Sequence, residues 1–441
     1  MTSARIPRAD EDARVVVVGA SLAGLRGAES LRLAGHRGPL TIVGDEPHLP
    51  YDRPPLSKHV IAGEMAPDAT TLPHRLDLDA AWRLGAGAAG LDRQARTIVL
   101  LDGERLPYDR LLIATGARAR PWHDEAEGTL EGVFTLRGRD DAAALRAALA
   151  AAPKRVLIVG GGFIGCEVAS VCRDLGLPVT LVDPLPAPLA KVLGLAVSGF
   201  LRDWIAAAGV EVRSNTGLRS LDGRDGRVVG ATLDDGSTIA ADVVVVALGA
   251  VPNTGWLEGS GLALESGALV CDGHARVRAQ DDGLHPEIRA AGDVALWPHP
   301  LYDGRMVRLE HWGNAVAQGE YAGRALALGD GDRPAFAGMP EFWSNQFGVT
   351  IKLAGLTEGA DSLAVVQGSL KDKRFLAVYG RAGRTVAALS VDCARWLPAY
   401  AEAIAAKAPF PPIANALDQP SRLGTLDPSW PTPPPEVSAR G

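Results

Sequence analysis

Hydrophobic positions along this chain fall in short unbroken runs rather than in strict alternation: VVVV at 15–18, LLI at 111–113, VLIV at 156–159 and VVVV at 243–246. A strand covered by helices on both faces buries every side chain, so such runs predict central strands of doubly wound sheets. Two of them stop in a glycine-rich turn and feed a helical pattern, VVVVGASLAG ending at Gly24 and VLIVGGGFIG ending at Gly165. Each is followed by a second apolar run that ends in an acidic residue: LTIVGDE with Asp45 and Glu46, and PVTLVD with Asp183. Such a turn lets backbone N–H groups and a helix N-terminus face a pyrophosphate, whose charge the helix dipole favours. One glycine turn also closes ordinary β-α units, but two, each with its acidic partner, predict two dinucleotide-binding sites.

The second copy is the cleaner. Gly160, Gly162 and Gly165 fill all three glycine positions, with Ile164 between the last two, and the helix runs on through Cys166, Glu167, Val168 and Ala169. Asp183 offers both ribose hydroxyls a carboxylate that repels a 2′-phosphate, so NADH is expected over NADPH. In the first copy, Gly19, Ala23 and Gly24 keep the pattern while Ser21 replaces the middle glycine, a residue small enough to fit if its side chain points away. Asp45, rather than Glu46, is expected at the ribose.

YDRPPLSK lies between the copies, and its two prolines give a rigid extended backbone and a helix start that place Arg53 and Lys58. Taken alone, this stretch reads better as a solvated turn, and it is the neighbouring segments that reverse the balance. YDRLLIATGARAR, ending its strand at Ala114, Thr115 and Gly116, is matched by ADVVVVALGAVPNT, which holds Gly249. Each has the form of a strand returning from an inserted unit to the cofactor edge of its sheet. The order of segments predicts an α/β protein with two Rossmann-like domains. The first spans 13–117 and 252–330, with the second, 118–251, inserted in it. A C-terminal α/β domain at 331–410 follows, with β-runs TIKLAG, SLAVVQGSL and RFLAVYG and the helix PAYAEAIAAKA, and then a proline-rich tail at 411–441 that reads as extended or disordered.

Composition narrows the function. A chain of 441 residues with 47% hydrophobic content suits two or three globular domains, and its net charge of −7 argues against nucleic-acid binding. No apolar run approaches the roughly 20 residues of a membrane span. The N-terminal MTSARIPRADEDAR is polar without a signal-peptide core, so a cytoplasmic location is expected. Cys166, Cys172, Cys271 and Cys393 form no C-x-x-C pair, and the histidines show no ligand spacing, so neither dithiol chemistry nor a metal site is expected.

GASLAG, DEPHLPYDRPPLSK, ATGARAR, GGGFIGCEVAS, VTLVD, ALGAVPN, AAGDVA, LEHWGNAVAQG and EFWSNQ stand in the order seen in a known family. The chain resembles the bacterial FAD-dependent, NADH-using ferredoxin reductases, relatives of putidaredoxin reductase and of the reductases of aromatic-ring dioxygenases, on the glutathione-reductase fold. The resemblance covers about residues 14–410, and DEPHLPYDRPPLSK is specific to this branch. The departures are Ser21, Asn345 where the family has Asp in FWSDQ, and Lys352 near a common Gln.

The resemblance implies that FAD and NADH are the cofactors. It implies that Asp293, at the strand end in AAGDVA, accepts a ribityl hydroxyl, where the residue read alone is a helix N-cap. The helix starting near Trp312 would face the flavin with its positive end, Arg137 and the Ala88 backbone would contact FAD, and Trp343 would set a ring near the flavin or belong to a core. Lys58 and Glu167 would meet at the flavin's reactive nitrogen, an ordinary salt bridge being the alternative. The expected activity is hydride transfer from NADH to FAD and single-electron delivery to a ferredoxin that serves a monooxygenase or dioxygenase. A reductase of rubredoxin or another acceptor, and a nucleotide-bound scaffold resembling apoptosis-inducing factor, are the alternatives. Docking of an acidic ferredoxin would need local cations, with Arg305 and Arg308 favoured over Lys371, Lys373 and Arg374.

Overall fold

The computed structural model describes residues 12–412 and 425–432. Most of the polar N-terminal stretch and most of the proline-rich tail therefore lie outside the described residues. The chain divides into two compact units, one of 1–52, 71–118 and 251–340, the other of 53–70, 119–250 and 341–441.

In the first unit a six-stranded sheet runs in the order Arg276–Arg278, Leu284–Ala290, Arg110–Ile113, Val15–Val18, Leu40–Val43, Ala81–Arg83. The Val15–Val18 strand pairs in parallel with its neighbours on both sides, and every one of its residues is buried. The glycine turn leaves that central strand at the point where the strand order switches direction, so the turn opens into the crevice at the sheet's carboxyl edge. The helix that follows, Leu22–Leu33, packs against the helix Trp312–Leu328, and the sheet and the first helix share a core of Val15, Val17, Leu25, Ile42 and Leu112. A small antiparallel sheet of Ala88–Asp92, Thr97–Leu100 and Arg105–Pro107 carries Ala88, and a further sheet of four strands lies between Leu264 and Val307.

The second unit repeats the plan. Five parallel strands run in the order Glu211–Ser214, Val179–Asp183, Val156–Val159, Val243–Val246, Val133–Thr135, again with the glycine turn leaving the strand at the switch. Its core joins Leu157, Val159, Val182, Val244 and Val246. The described residues of the C-terminal part form an antiparallel sheet of six strands, Glu341–Gln346, Val349–Gly355, Arg384–Val391, Arg374–Arg381, Ser362–Ser369 and Thr425–Leu426, with the helix Leu397–Ala405 packed on it. The strand Glu341–Gln346 lies on the helix Phe163–Asp174, with the Phe163 and Phe342 rings 4.1 Å apart and Phe347 N–H donating to Ser170 Oγ at 2.7 Å.

The described part of the tail is an integral strand rather than a loose extension. Thr425 and Leu426 add to the C-terminal sheet, and the Trp430 indole N–H donates to the Ala360 carbonyl at 2.9 Å. The helix Ala190–Ala207 is interrupted at Gly194, whose φ of +71° only glycine adopts readily. The N–H groups this break exposes, on Leu195 and Ala196, are taken by the carbonyls of Ser429 and Pro428 at 2.7 and 3.2 Å. The tail thus caps the restarted helix in place of a side chain. Among the described residues no helix is long and apolar enough to cross a membrane.

Candidate functional site

Both glycine turns are built so that only glycine fits at their first and last positions. Gly19 and Gly160 have φ of +122° and +106°, and a Cβ on either would overlap the carbonyl of the neighbouring strand end, at Ala114 and Ala247 respectively. A Cβ on Gly24 or Gly165 would overlap the carbonyl of Gly19 or Gly160, so the first helical turn is pressed against its own loop. The helices Leu22–Leu33 and Phe163–Asp174 have no acidic residue in the first turn and no side-chain cap, which leaves their first N–H groups for an anion. A Cβ at Gly162 would meet nothing within 4 Å, so the approach to the second turn is open. Ser21 stands at the equivalent place with an extended backbone, φ −127° and ψ −165°, which any residue adopts, so the substitution carries no backbone strain.

Around the first turn the structure gathers several expected residues. Gly292, next to Asp293, packs so closely on Ala23 that a Cβ there would lie 3.0 Å from the Ala23 methyl. Ala114, Thr115 and Gly116 follow the Arg110–Ile113 strand, and Asn253 ties them down, donating from Nδ2 to the Thr115 carbonyl at 3.0 Å while its own carbonyl accepts from Thr115 Oγ1 at 2.8 Å. Asp45 is exposed just beyond the Leu40–Val43 strand, whereas Glu46 accepts the Tyr51 hydroxyl, so Asp45 is the carboxylate presented to solvent. Ala88 is half-buried in the small sheet, opposite Leu100. Trp312 opens its helix and donates from Nε1 to Asp52 Oδ1 at 2.8 Å. His311, the N-cap residue of that helix, is half-buried beside Asp293, and desolvation pushes its imidazole down to about 4 against the pull of that carboxylate.

Sequence reasoning missed Gln318 on the same helix. It is fully buried, its Oε1 accepts the Gly292 N–H at 2.8 Å, and its Nε2 has no partner among the described residues. A buried amide donor left unpaired costs about 1–3 kcal/mol, and a polar group lying along Gly292–Asp293 would satisfy it. The donor set of this unit, backbone N–H groups at a helix N-terminus, a carboxylate at the strand end and a waiting amide, fits a dinucleotide.

The second unit holds the remaining expected residues. Arg53 donates to the Arg137 carbonyl at 2.8 Å, joining two positions 84 residues apart. Gly249 follows the Val243–Val246 strand with φ +86° and accepts the Arg120 N–H at 2.9 Å, while Ile164 leaves an apolar side chain exposed at the start of its helix. Asp183 is buried under the glycine turn, with Oδ2 accepting the Gly161 N–H at 2.5 Å and Oδ1 the Leu185 N–H at 2.7 Å. Burial raises its carboxyl above the usual range, with the two N–H groups pulling the other way. Each oxygen retains a lone pair, so the carboxylate both braces the turn and can receive a hydroxyl.

Lys58 and Glu167 meet at 2.8 Å, Nζ to Oε2, with side chains 13% and 4% exposed. Lys58 sits in a single π-turn, Leu56–Val60, rather than an α-helix start, a local form that is often found at functional sites. Its Nζ also donates to the Pro54 carbonyl at 3.2 Å, so two of its three N–H donors have partners among the described residues and one does not. Glu167 receives two hydroxyls as well, Ser57 Oγ at 2.5 Å and Ser344 Oγ at 2.6 Å. Neither serine stood out in the sequence as a site residue.

Trp343 is neither core nor enclosed. It is 39% exposed on the outer face of its strand, opposite Lys352, and Asn345 is exposed two residues on. Both departures from the family motif therefore fall on an exposed sheet face and leave the buried Ser344 and Gln346 untouched. Arg308, expected as a docking cation, is paired with Glu310 at 2.5 Å, so its charge is largely compensated. Lys371, Lys373 and Arg374 are exposed, with Lys373 Nζ 5.4 Å from the Trp204 ring centroid. All four cysteines are free and buried. Burial raises the Cys172 thiol to about 12 and pushes Cys166 and Cys271 up as well, so none of these three is poised as a thiolate.

Residues 13–319 match the pyridine nucleotide-disulphide oxidoreductase family and residues 341–426 the reductase C-terminal family. The chain is 36% identical to rhodocoxin reductase of Rhodococcus erythropolis over 370 residues, 82% of each protein. It is 35% identical over 408 residues to the ferredoxin reductase component of chlorobenzene dioxygenase from Cupriavidus sp. strain PS12, covering 91% of this chain and 95% of that one. Among solved structures, the covalent putidaredoxin reductase–putidaredoxin complex matches with a TM-score of 0.84 and 31% identity over 91% of this chain and 94% of the other. The chain belongs to the pyridine nucleotide-disulphide oxidoreductase family, with a domain of the reductase C-terminal family joined to it.

Proposed function

We propose that this chain is an NADH-dependent, FAD-containing reductase that delivers single electrons to a ferredoxin-type iron–sulfur protein serving an oxygenase. The observation that carries the reading is the nearly buried Lys58 ammonium, held by Glu167 with one N–H donor uncommitted, in a chain with two glycine-turn cradles and no thiolate-prone cysteine among the three that burial raises. FAD, when bound, takes up a hydride from NADH and gives up electrons one at a time. The protein's part is positioning and charge. In the first unit the turn at Gly19–Gly24 would hold a pyrophosphate, Asp45 would receive ribose hydroxyls, and Asp293 and Gln318 would hold the flavin cofactor, while in the second unit the turn at Gly160–Gly165 and Asp183 would do the same for the pyrophosphate and ribose of NADH. Lys58 presents its third N–H to the reacting ring, and Glu167 keeps that charge compensated and aimed.

Electron delivery in the named relatives' own systems supports the acceptor class. Because Arg308 is already paired with Glu310 and Arg305 is half-buried, the exposed Lys371–Arg374 turn is the better docking candidate on this chain. Free buried thiols suit a reducing compartment, so the cytoplasm is the proposed location. The purified protein should be yellow, bleach rapidly with NADH and reduce cytochrome c only when a ferredoxin is added, at a rate that falls as salt rises. Slow bleaching with no onward delivery to ferredoxin would favour a nucleotide-bound scaffold, and delivery to rubredoxin alone would change the acceptor.

A further inference from the structure

Glu167 is where three distant stretches of chain meet. Ser57 comes from the π-turn Leu56–Val60, Glu167 from the helix Phe163–Asp174 and Ser344 from the first strand of the C-terminal sheet, at sequence separations of 110 and 177 residues. All three are buried, and Ser344 is fully so. Two donors, Ser57 Oγ and Lys58 Nζ, share Oε2, and Ser344 Oγ supplies Oε1. Behind Ser344, Gln346 Nε2 donates to its Oγ at 3.0 Å. A hydroxyl has one proton, so a serine that receives from the amide has its proton left for the carboxylate. The hydrogen bonds therefore run in one direction, from Gln346 through Ser344 to Glu167, and the amide orientation of Gln346 is fixed by the same count.

We propose that Ser344 and Ser57 are positioning residues that hold the Glu167 carboxylate from both sides and thereby set the direction of the Lys58 ammonium. This rests on the proposed role of Lys58 in hydride transfer. A carboxylate bonded only through Oε2 can rotate, and a bare buried oxygen draws in whatever donor is nearest, which here is the ammonium. Lys58 would then spend its third N–H on Glu167. Ser344 prevents this by satisfying Oε1 from the opposite side, which makes the C-terminal sheet a structural part of the hydride site.

The test compares Ser344→Ala, Ser344→Thr and Ser57→Ala with wild type in the full-length, FAD-loaded protein. Ser344→Ala is expected to slow flavin reduction at saturating NADH by about tenfold, the effect of one charge-assisted hydrogen bond, with the apparent affinity for NADH changed less than about twofold. Ser344→Thr keeps the hydroxyl and should restore most of the rate, and Ser57→Ala should resemble Ser344→Ala. A readout independent of turnover is the Lys58 ¹⁵Nζ signal in ¹⁵N-lysine-labelled protein, assigned by its loss in Lys58→Met. It should shift or broaden by exchange in Ser344→Ala and return in Ser344→Thr. A wild-type protein that NADH does not reduce would remove the underlying reading. A wild type that is reduced normally, with Ser344→Ala reduced equally fast or Ser344→Thr no better than Ser344→Ala, would overturn the clamp alone.

Discussion

Replacing Lys58 by Met removes the ammonium while keeping most of the side chain's length and apolar surface. In the folded protein this leaves the Glu167 carboxylate, 4% exposed, without its cation. Breaking a fully buried pair from one side costs about 3–5 kcal/mol. Two features lower that figure here. Lys58 is 13% exposed, so water reaches the site, and Ser57 and Ser344 still donate to both carboxylate oxygens. A destabilisation of about 2 kcal/mol follows, enough to lower the melting temperature by a few degrees without unfolding the protein. FAD should remain bound, because the glycine turn, Asn253 and Gln318 belong to the other compact unit and are unchanged.

The kinetic effect is expected to be larger than the stability effect. One preorganised donor aimed at developing charge contributes about 3–4 kcal/mol to a transition state, so flavin bleaching by NADH in the stopped flow should slow by about 10² to 10³. Glu167→Gln should give a smaller loss. Its amide must set an NH₂ group against either Ser344 or the Ser57–Lys58 side, so one donor is misdirected while the ammonium stays. If the two residues act as a unit, the double variant Lys58→Met/Glu167→Gln should be little slower than Lys58→Met alone. Unchanged bleaching in both single variants would reduce the pair to an ordinary salt bridge, and fully additive losses would refute the claim that they work together.

Two further predictions come from desolvated titratable groups. Asp183→Asn should narrow the preference for NADH over NADPH by about tenfold, mostly by weakening NADH, because the carboxylate that meets the ribose also braces the Gly161 N–H; equal use of both cofactors by the wild type, measured as kcat/KM, would sink the assignment. His311 titrates near 4 in the folded protein against about 6.5 unfolded, so the unfolded chain binds the extra proton. The stabilisation is complete above about pH 6.5 and is lost as pH falls through about 4, with roughly 2 kcal/mol of it already gone by about pH 5. Melting curves of wild type and His311→Gln should converge on acidification across that window, and a constant gap between them would contradict it.

What the sequence made legible is what local backbone geometry enforces. Gly19, Gly24, Gly160 and Gly165 are fixed by overlaps within a few residues or with the adjacent strand end, and Asp183 stands at the end of its own strand, so both turns can be read without knowing the rest of the fold. Lys58 and Glu167 could be read only through resemblance, since nothing within either segment says that they touch. Ser57 lies inside the very motif that carries Lys58, yet its role depends on a carboxylate 110 residues away.

Ser344 was hidden for a more general reason. In EFWSNQ, strand periodicity with apolar residues inward would place Trp343 in a core and leave Ser344 at the surface. The strand does the reverse, burying Ser344 and Gln346 and exposing Trp343 and Asn345. The choice of face is set by what lies opposite, and opposite is a buried carboxylate that an apolar face would leave unsatisfied. Burying Glu167 against Trp343 would cost the full desolvation of one oxygen, whereas burying two polar side chains in a relay costs little, because every donor in it has an acceptor. A polar inward face on an otherwise β-forming strand is thus itself a sign of a buried charge across the interface. Such a sign can be recognised in a sequence only when the position of the charge is already known.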